Sequence, residues 1–266
     1  MACTSVPDER MTSYVDFPET RELTSRTLTL DSALFRYPYR VRVQDDKAVV
    51  FDLHGTEYFF HAFHYPGFHY LSSFGKRGDA PEEMLSAENL RWNGNFLWTL
   101  DSNKSELTRL GFASSGDSLL RLEAVSLDEE LLRALDFVQY DDSTFIIPDY
   151  SGDSRFCLVS RQGKLLRKIG TISTANEDAL KSARPALAQA WRSFIDYNPR
   201  NGMLAAVTQL GEVLEIYNLK DSTHIVRVGP NGEPEFQISQ GYGIPTGIMG
   251  FSDIQVTDSA IYVVFQ

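Results

Sequence analysis

The chain has 266 residues, 42% of them hydrophobic, with 25 basic against 36 acidic side chains and a formal charge of −11. Such a length buries a substantial core, while the acidic balance leaves no domain-wide basic footprint for nucleic acid or an anionic membrane. The longest wholly apolar stretches are a few residues, far short of the roughly 20 that cross a bilayer, so no transmembrane segment is expected.

Residues 1–20 read as a flexible polar tail. Within it Cys3 precedes Thr4-Ser5-Val6-Pro7-Asp8-Glu9, a stretch no core would want. A cysteine on a polar tether is the form of a bacterial lipoprotein after signal cleavage, yet no basic and apolar signal regions precede it. Two readings stay open. Either Cys3 is a lipid-attachment and membrane-tethering site whose signal peptide is missing from this sequence, or it is an incidental residue of the tail.

Five apolar runs then recur, each introduced by a turn-forming pair: Ala48 to Phe51, Phe96 to Trp98, Phe145 to Ile147, Met203 to Val207 and Ile261 to Phe265. Counted from Val49, Phe96, Phe145, Met203 and Ile261, the steps are 47, 49, 58 and 58 residues, the period of one four-stranded propeller blade per repeat. In the first repeat Tyr39 to Val43 alternates apolar with Arg40 and Arg42, and Asp45-Asp46-Lys47 turns the chain into Ala48 to Phe51. Strands at 57–63 and 68–74 follow, joined by Tyr65-Pro66-Gly67, where proline sets φ and glycine suits a tight turn. The pattern predicts blades over about 35–84, 88–126, 135–170 and 192–228, and an incomplete one over 252–266. Together they make a single domain from residue 21. In the third, Cys157 lies in Arg155-Phe156-Cys157-Leu158-Val159 and reads as a small buried hydrophobe.

Two insertions account for the 58-residue steps. Near residues 174–190, Thr174-Ala175-Asn176-Glu177 has the form of a capping box, with Ala179, Leu180 and Ala183 at helical spacing and Pro185 as a stop or kink. Residues 229–250, with Gly229, Gly232, Gly241, Gly243, Gly247, Gly250 and three prolines, read as a long loop, either a solvated crossover or the rim of a binding site.

Phe74-Gly75-Lys76-Arg77-Gly78-Asp79-Ala80-Pro81-Glu82-Glu83 and Gly250 to Asp258 resemble the TolB-like six-bladed β-propeller proteins of Gram-negative bacteria, over roughly residues 20 to 266. The resemblance implies an all-β propeller of four-stranded antiparallel blades, in which this sequence holds about four and a half of six. Completing the design at roughly 45 residues per blade takes about 60 to 80 more. An open ring leaves strand edges that invite self-association, and Leu23 to Leu30 is expected to pair with the last strand present. Many such proteins are predicted lipoproteins. The function implied is a non-catalytic cell-envelope binding or scaffold protein with a protein or glycan partner and no cofactor. It is periplasmic or outer-membrane-anchored if a signal peptide is missing, and cytoplasmic otherwise. Arg77-Gly78-Asp79 belongs to the inter-blade turn rather than to adhesion.

Candidates for chemistry are few. There is no Gly-x-Ser-x-Gly elbow, His-Glu-x-x-His pair or phosphate-binding loop. Arg40, Asn89, Asp136, Arg192 and Asp253 enter the innermost strands, where they either face the channel mouth and orient a polar ligand or join blade to blade by hydrogen bonds. The alternative to a binding module is a propeller hydrolase or lyase with its site at that mouth. His64 and His69 fall opposite each other in the aromatic hairpin as a two-ligand metal candidate, with His61 on the other face and no acidic neighbour expected; their plain role is packing.

Overall fold

The computed structural model describes residues 11–30 and 35–266, so Cys3 lies outside the described residues. Among the described residues the fold is a β-propeller of four-stranded blades with two short helices. The chain divides into two compact units, one of residues 22–147 with 157–167, the other of residues up to Arg21, 148–156 and 168–266.

Among the described residues strand β1 (Met11–Ser13) comes first. The first blade holds β2 (Pro38–Gln44), β3 (Lys47–Asp52), β4 (Tyr58–His64) and β5 (His69–Lys76). The second holds β6 (Ala87–Asn93), β7 (Phe96–Asp101), β8 (Glu106–Phe112) and β9 (Leu119–Ser126). In the third are β10 (Val138–Asp141), β11 (Thr144–Pro148), β12 (Phe156–Ser160) and β13 (Leu165–Ile169). Helices α1 (Glu177–Ser182) and α2 (Arg184–Ala190) precede the fourth, which holds β14 (Ser193–Asn198), β15 (Met203–Thr208), β16 (Val213–Asn218) and β17 (Thr223–Val228). A hairpin of β18 (Phe236–Ser239) and β19 (Tyr242–Pro245) leads to a two-stranded sheet of β20 (Phe251–Val256) and β21 (Ile261–Phe265). The recurrent apolar runs are thus the second strands, β3, β7, β11, β15 and β21. In the four complete blades that strand lies between two others and is buried on both faces, which is why its sequence is a continuous apolar run rather than an alternation.

In the first unit, Phe51, Phe60 and Phe74 pack in sequence, with ring centroids 5.1 and 5.2 Å apart. Trp98 meets Phe145 edge-on at 5.0 Å, within a cluster that also buries Cys157 as the small hydrophobe expected. In the other unit Leu187 and Trp191 pack with Val213 and Val226. Fully burying one large apolar side chain contributes about 1.5–3 kcal/mol, and Pro185 serves this core by lying in the first turn of α2 rather than ending a helix. Proline is tolerated there because its missing N–H would have no partner anyway.

Four sequence expectations are corrected. The cap of α1 is Asn176, whose Oδ1 accepts from Ala179 N at 3.0 Å; Thr174 instead donates to Glu233 and accepts from Asn176 N. Residues 229–250 are not a bare loop. Phe236-Gln-Ile-Ser and Tyr242-Gly-Ile-Pro pair across Gln240-Gly241, both at positive φ (51° and 83°), the geometry of a tight hairpin turn. The stretch Leu23 to Leu30 forms no strand, and Leu23 is 95% exposed; Thr24-Ser25-Arg26-Thr27 offers no continuous apolar face to bury. Residues 11–13, read as tail, instead pair in parallel with Val226–Val228 and cover the outer edge of the fourth blade. An unpaired outer strand is a template for foreign strands, and this pairing removes it.

Candidate functional site

Three of the five inner-strand candidates come together. Arg40 Nη1 donates to Asn89 Oδ1 at 2.7 Å, Asn89 Nδ2 donates to Asp136, and Arg91 Nη2 reaches both Asp136 oxygens at 3.1 and 3.2 Å. Arg40, Asn89 and Asp136 are 3%, 0% and 1% exposed, so the network joins the first strands of two blades to the entry of the third inside the core. A buried charge persists only where paired and hydrogen-bonded, and here Arg40, Asn89, Arg91 and Asp136 bond to one another. Arg192 and Asp253 belong to the other unit. Both are half-buried and engaged by further interactions; Asp253 Oδ1 accepts from Ile254 N at 2.9 Å. The same bend recurs at Asn89, which accepts from Leu90 N, and at Asp136, which accepts from Phe137 N.

A second buried set had no counterpart in the sequence reading. At the end of the second strand of each complete blade stands a polar residue that gathers the backbone of a nearby loop. Asp52 accepts from Arg36 N and Tyr37 N; Asp101 accepts from Leu85 N, Ser86 N, Asn103 N and Lys104 N; Asp149 accepts from Ser151 N, Ser154 N and Ser154 Oγ. In the fourth blade Thr208 takes this place and accepts from Val213 N. Burial works against the Asp149 carboxylate, but its bonds from Ser151 and Ser154 and the nearby Lys168 ammonium hold its pKa below the usual range. The signal was present as apolar runs closing on Phe51-Asp52, Leu100-Asp101 and Pro148-Asp149.

The second unit has its own hub. Arg155 Nε and Nη2 both reach Glu215 Oε2, at 2.7 and 2.6 Å, Nη2 also donates to Ser193 Oγ, and Tyr217 OH donates to Glu215 Oε1 at 2.8 Å. The side chains of Arg155 and Glu215 are 2% and 0% exposed. Burial and then the Glu215 charge push the Tyr217 hydroxyl well above its ordinary pKa.

His64 and His69 are register partners as expected. Contrary to expectation an acidic group is near, because the β2–β3 turn folds beside their hairpin: Tyr65 N donates to Asp46 O, and Asp46 Oδ2 lies 3.6 Å from His64 Nδ1. That carboxylate is held by Lys47 at 3.0 Å, and the His69 ring lies over Gly67, where a Cβ would come within 2.9 Å of Nε2. Among the described residues no three His, Cys, Asp or Glu side chains gather as a metal site.

An open cleft of about 370 Å³ lies on the first blade, lined by residues that include Arg36, Glu57, Tyr58, His61, Tyr70 and Ser73. His61 and Ser73 are register partners on β4 and β5, and Nδ1 lies 2.8 Å from Ser73 Oγ, which is 2.8 Å from Tyr70 OH. Burial lowers the His61 pKa, outweighing the nearby Asp52 charge that raises it. A histidine whose folded pKa falls below its unfolded value of about 6.5 takes up fewer protons when folded, so its contribution to stability is whole above that pH and is lost as pH falls through the folded value. His61→Gln is therefore expected to flatten the drop in Tm between pH 6.5 and 5; an unchanged slope in thermal melts would remove His61 as its source.

Among the described residues no helix is long and apolar enough to cross a membrane, which says nothing of β-barrels. No curated protein matches the sequence significantly. Among solved structures, an inferred exported protein from Bacteroides fragilis matches with a TM-score of 0.55 at 13% identity, over 82% of this chain and 60% of its own. Streptogramin B lyase gives 0.49 at 12% identity over 86% and 62%, and an inferred 6-phosphogluconolactonase from Bacteroides uniformis gives 0.48 at 14% over 84% and 62%. The chain thus spans about three fifths of the length of these structures, and the first of them shows likeness of fold alone. The profile of the TolB-like 6-blade propeller-like family matches residues 16–266, and with its blades in place the chain belongs to that family.

Proposed function

We propose that the protein is a non-catalytic binding or scaffold module of the cell envelope, with a glycan or protein ligand, working in the periplasm or on the outer membrane. The observation that supports this is the fate of the inner-strand polar groups. Arg40, Asn89, Asp136 and Arg91 are turned on one another inside the core, so these groups serve the scaffold rather than present an acid, base or nucleophile to a substrate.

A hydrolytic reading would rest on the His61–Ser73 pair at base-to-nucleophile distance. Ser73 is, however, the direct cross-strand neighbour of His61 and also meets Tyr70, and sheet register alone accounts for the contact. The test scores retention and chemistry on the same samples. Purified protein is incubated with defined muropeptides and with neutral oligosaccharides, and the probes are recovered for mass spectrometry. Retention with unchanged masses is the expected result; new product masses that vanish in Ser73→Ala would overturn the non-catalytic reading.

A further inference from the structure

We infer that the first-blade cleft is a binding site for an uncharged sugar ring of a glycan, an inference that rests on the binding-module reading above. Its volume, about 370 Å³, is at the small end of ligand sites, which run from about 300 to 1,000 Å³. That suits one or two rings rather than a peptide segment.

Its lining matches the two surfaces of a sugar. A pyranose offers C–H faces, which pack on aromatic rings, and a rim of hydroxyls, each of which both donates and accepts. Tyr58 and Tyr70 line the cleft, Tyr70 being 40% exposed. For the rim there are the Ser73, Tyr70 and Thr56 hydroxyls, the His61 imidazole and the Glu57 carboxylate.

The polar groups are held in place before any ligand arrives. His61, Ser73 and Tyr70 form a hydrogen-bonded chain across two paired strands. Fixing donors and acceptors beforehand reduces the ordering cost of binding. The Asp52 carboxylate is 1% exposed and occupied by Arg36 N and Tyr37 N, so it forms part of the wall.

Charge selects against anions. One guanidinium, Arg36, faces two carboxylates, Asp52 and Glu57, in a chain of net charge −11. A phosphate or sulfate would meet net repulsion. The rest of the lining, the Thr56, Tyr70 and Ser73 hydroxyls and the His61 imidazole, pairs with the hydroxyls of a sugar.

The experiment uses the full chain and titrates neutral hexose and N-acetylhexosamine mono- and disaccharides by ligand-observed NMR and calorimetry. At least one is expected to bind. Tyr70→Ala and Ser73→Ala should each weaken it by about five- to tenfold, the worth of a lost contact or neutral hydrogen bond. Glu57→Gln sits on an exposed side chain and does not risk the fold; it should weaken binding about threefold or more. Phe96→Ala, in a different cleft of the second blade, should leave it unchanged. Binding that all three cleft variants retain at full strength would overturn the cleft while leaving a glycan-binding module. Failure of every neutral sugar to bind would overturn the sugar inference and leave the protein-partner form of the function. Turnover of a bound sugar would instead overturn the non-catalytic reading.

Discussion

Glu215→Ala is expected to lower the unfolding free energy by about 3–5 kcal/mol, because it strands the Arg155 guanidinium in the core. The cation is 2% exposed, and its principal anionic partner is the one removed. Ser193 Oγ and the Trp191 carbonyl remain, but neutral acceptors do not offset the desolvation of a full charge. In urea denaturation the midpoint should fall, and in thermal melts Tm should drop on the order of 10 °C. The companion double variant, Arg155→Met with Glu215→Leu, is expected to recover most of that loss, since a buried pair replaced by apolar side chains of similar volume is often neutral in stability. A single variant within about 1 kcal/mol of the wild type would show that water reaches Arg155 and that the pair is not the hub its burial suggests.

Asp101→Ala is the second large effect, and it should be local. One carboxylate serves four backbone amides on both sides of the β7 terminus, Leu85 at 2.6 Å, Ser86 at 3.2 Å, and Asn103 and Lys104 at 3.0 Å each. Each buried donor left without an acceptor costs about 1–3 kcal/mol, reduced where the loosened loop opens to water, so a loss of about 2–4 kcal/mol is expected. Hydrogen exchange resolves it: protection of the Leu85 and Ser86 amides should collapse, while Asp101→Asn, which keeps one carbonyl acceptor, should retain part of it. Unaltered protection in Asp101→Ala would mean that the loop is held by packing instead.

The legibility of this chain followed the length scale of each interaction. The blades could be read because the second strand of each complete blade lies within its sheet, and burial on both faces forces a run such as Phe145-Ile146-Ile147 whatever its neighbours do. The register of His64 with His69 followed from a four-residue connection through Pro66-Gly67. Polar residues were harder, because their meaning depends on partners tens of residues away. Asn89 and Asp136 looked equally fit for a channel mouth and for a joint between blades, and only the packing of one blade on the next brings them into a single buried chain. Glu215 shares a strand face with Val213 and Tyr217 and is buried with them, yet nothing near it in sequence announces Arg155. The first-blade cleft had no signature in the sequence, since His61 and Ser73 lie 12 residues apart and only the β4–β5 register sets them side by side.

The parallel strand near the N-terminus bears on how the protein is made. Met11 to Ser13 find their partners only at Val226 to Val228, so during synthesis this segment emerges well ahead of the strand it pairs with. Contacts so distant in sequence form slowly, because loop closure must precede any gain from pairing. The fourth blade can assemble its own four strands meanwhile, and addition of β1 then becomes a late latching step. Trimming residues 11–14 should accordingly leave the folding rate nearly untouched and speed unfolding, which makes this short strand a determinant of lifetime rather than of topology.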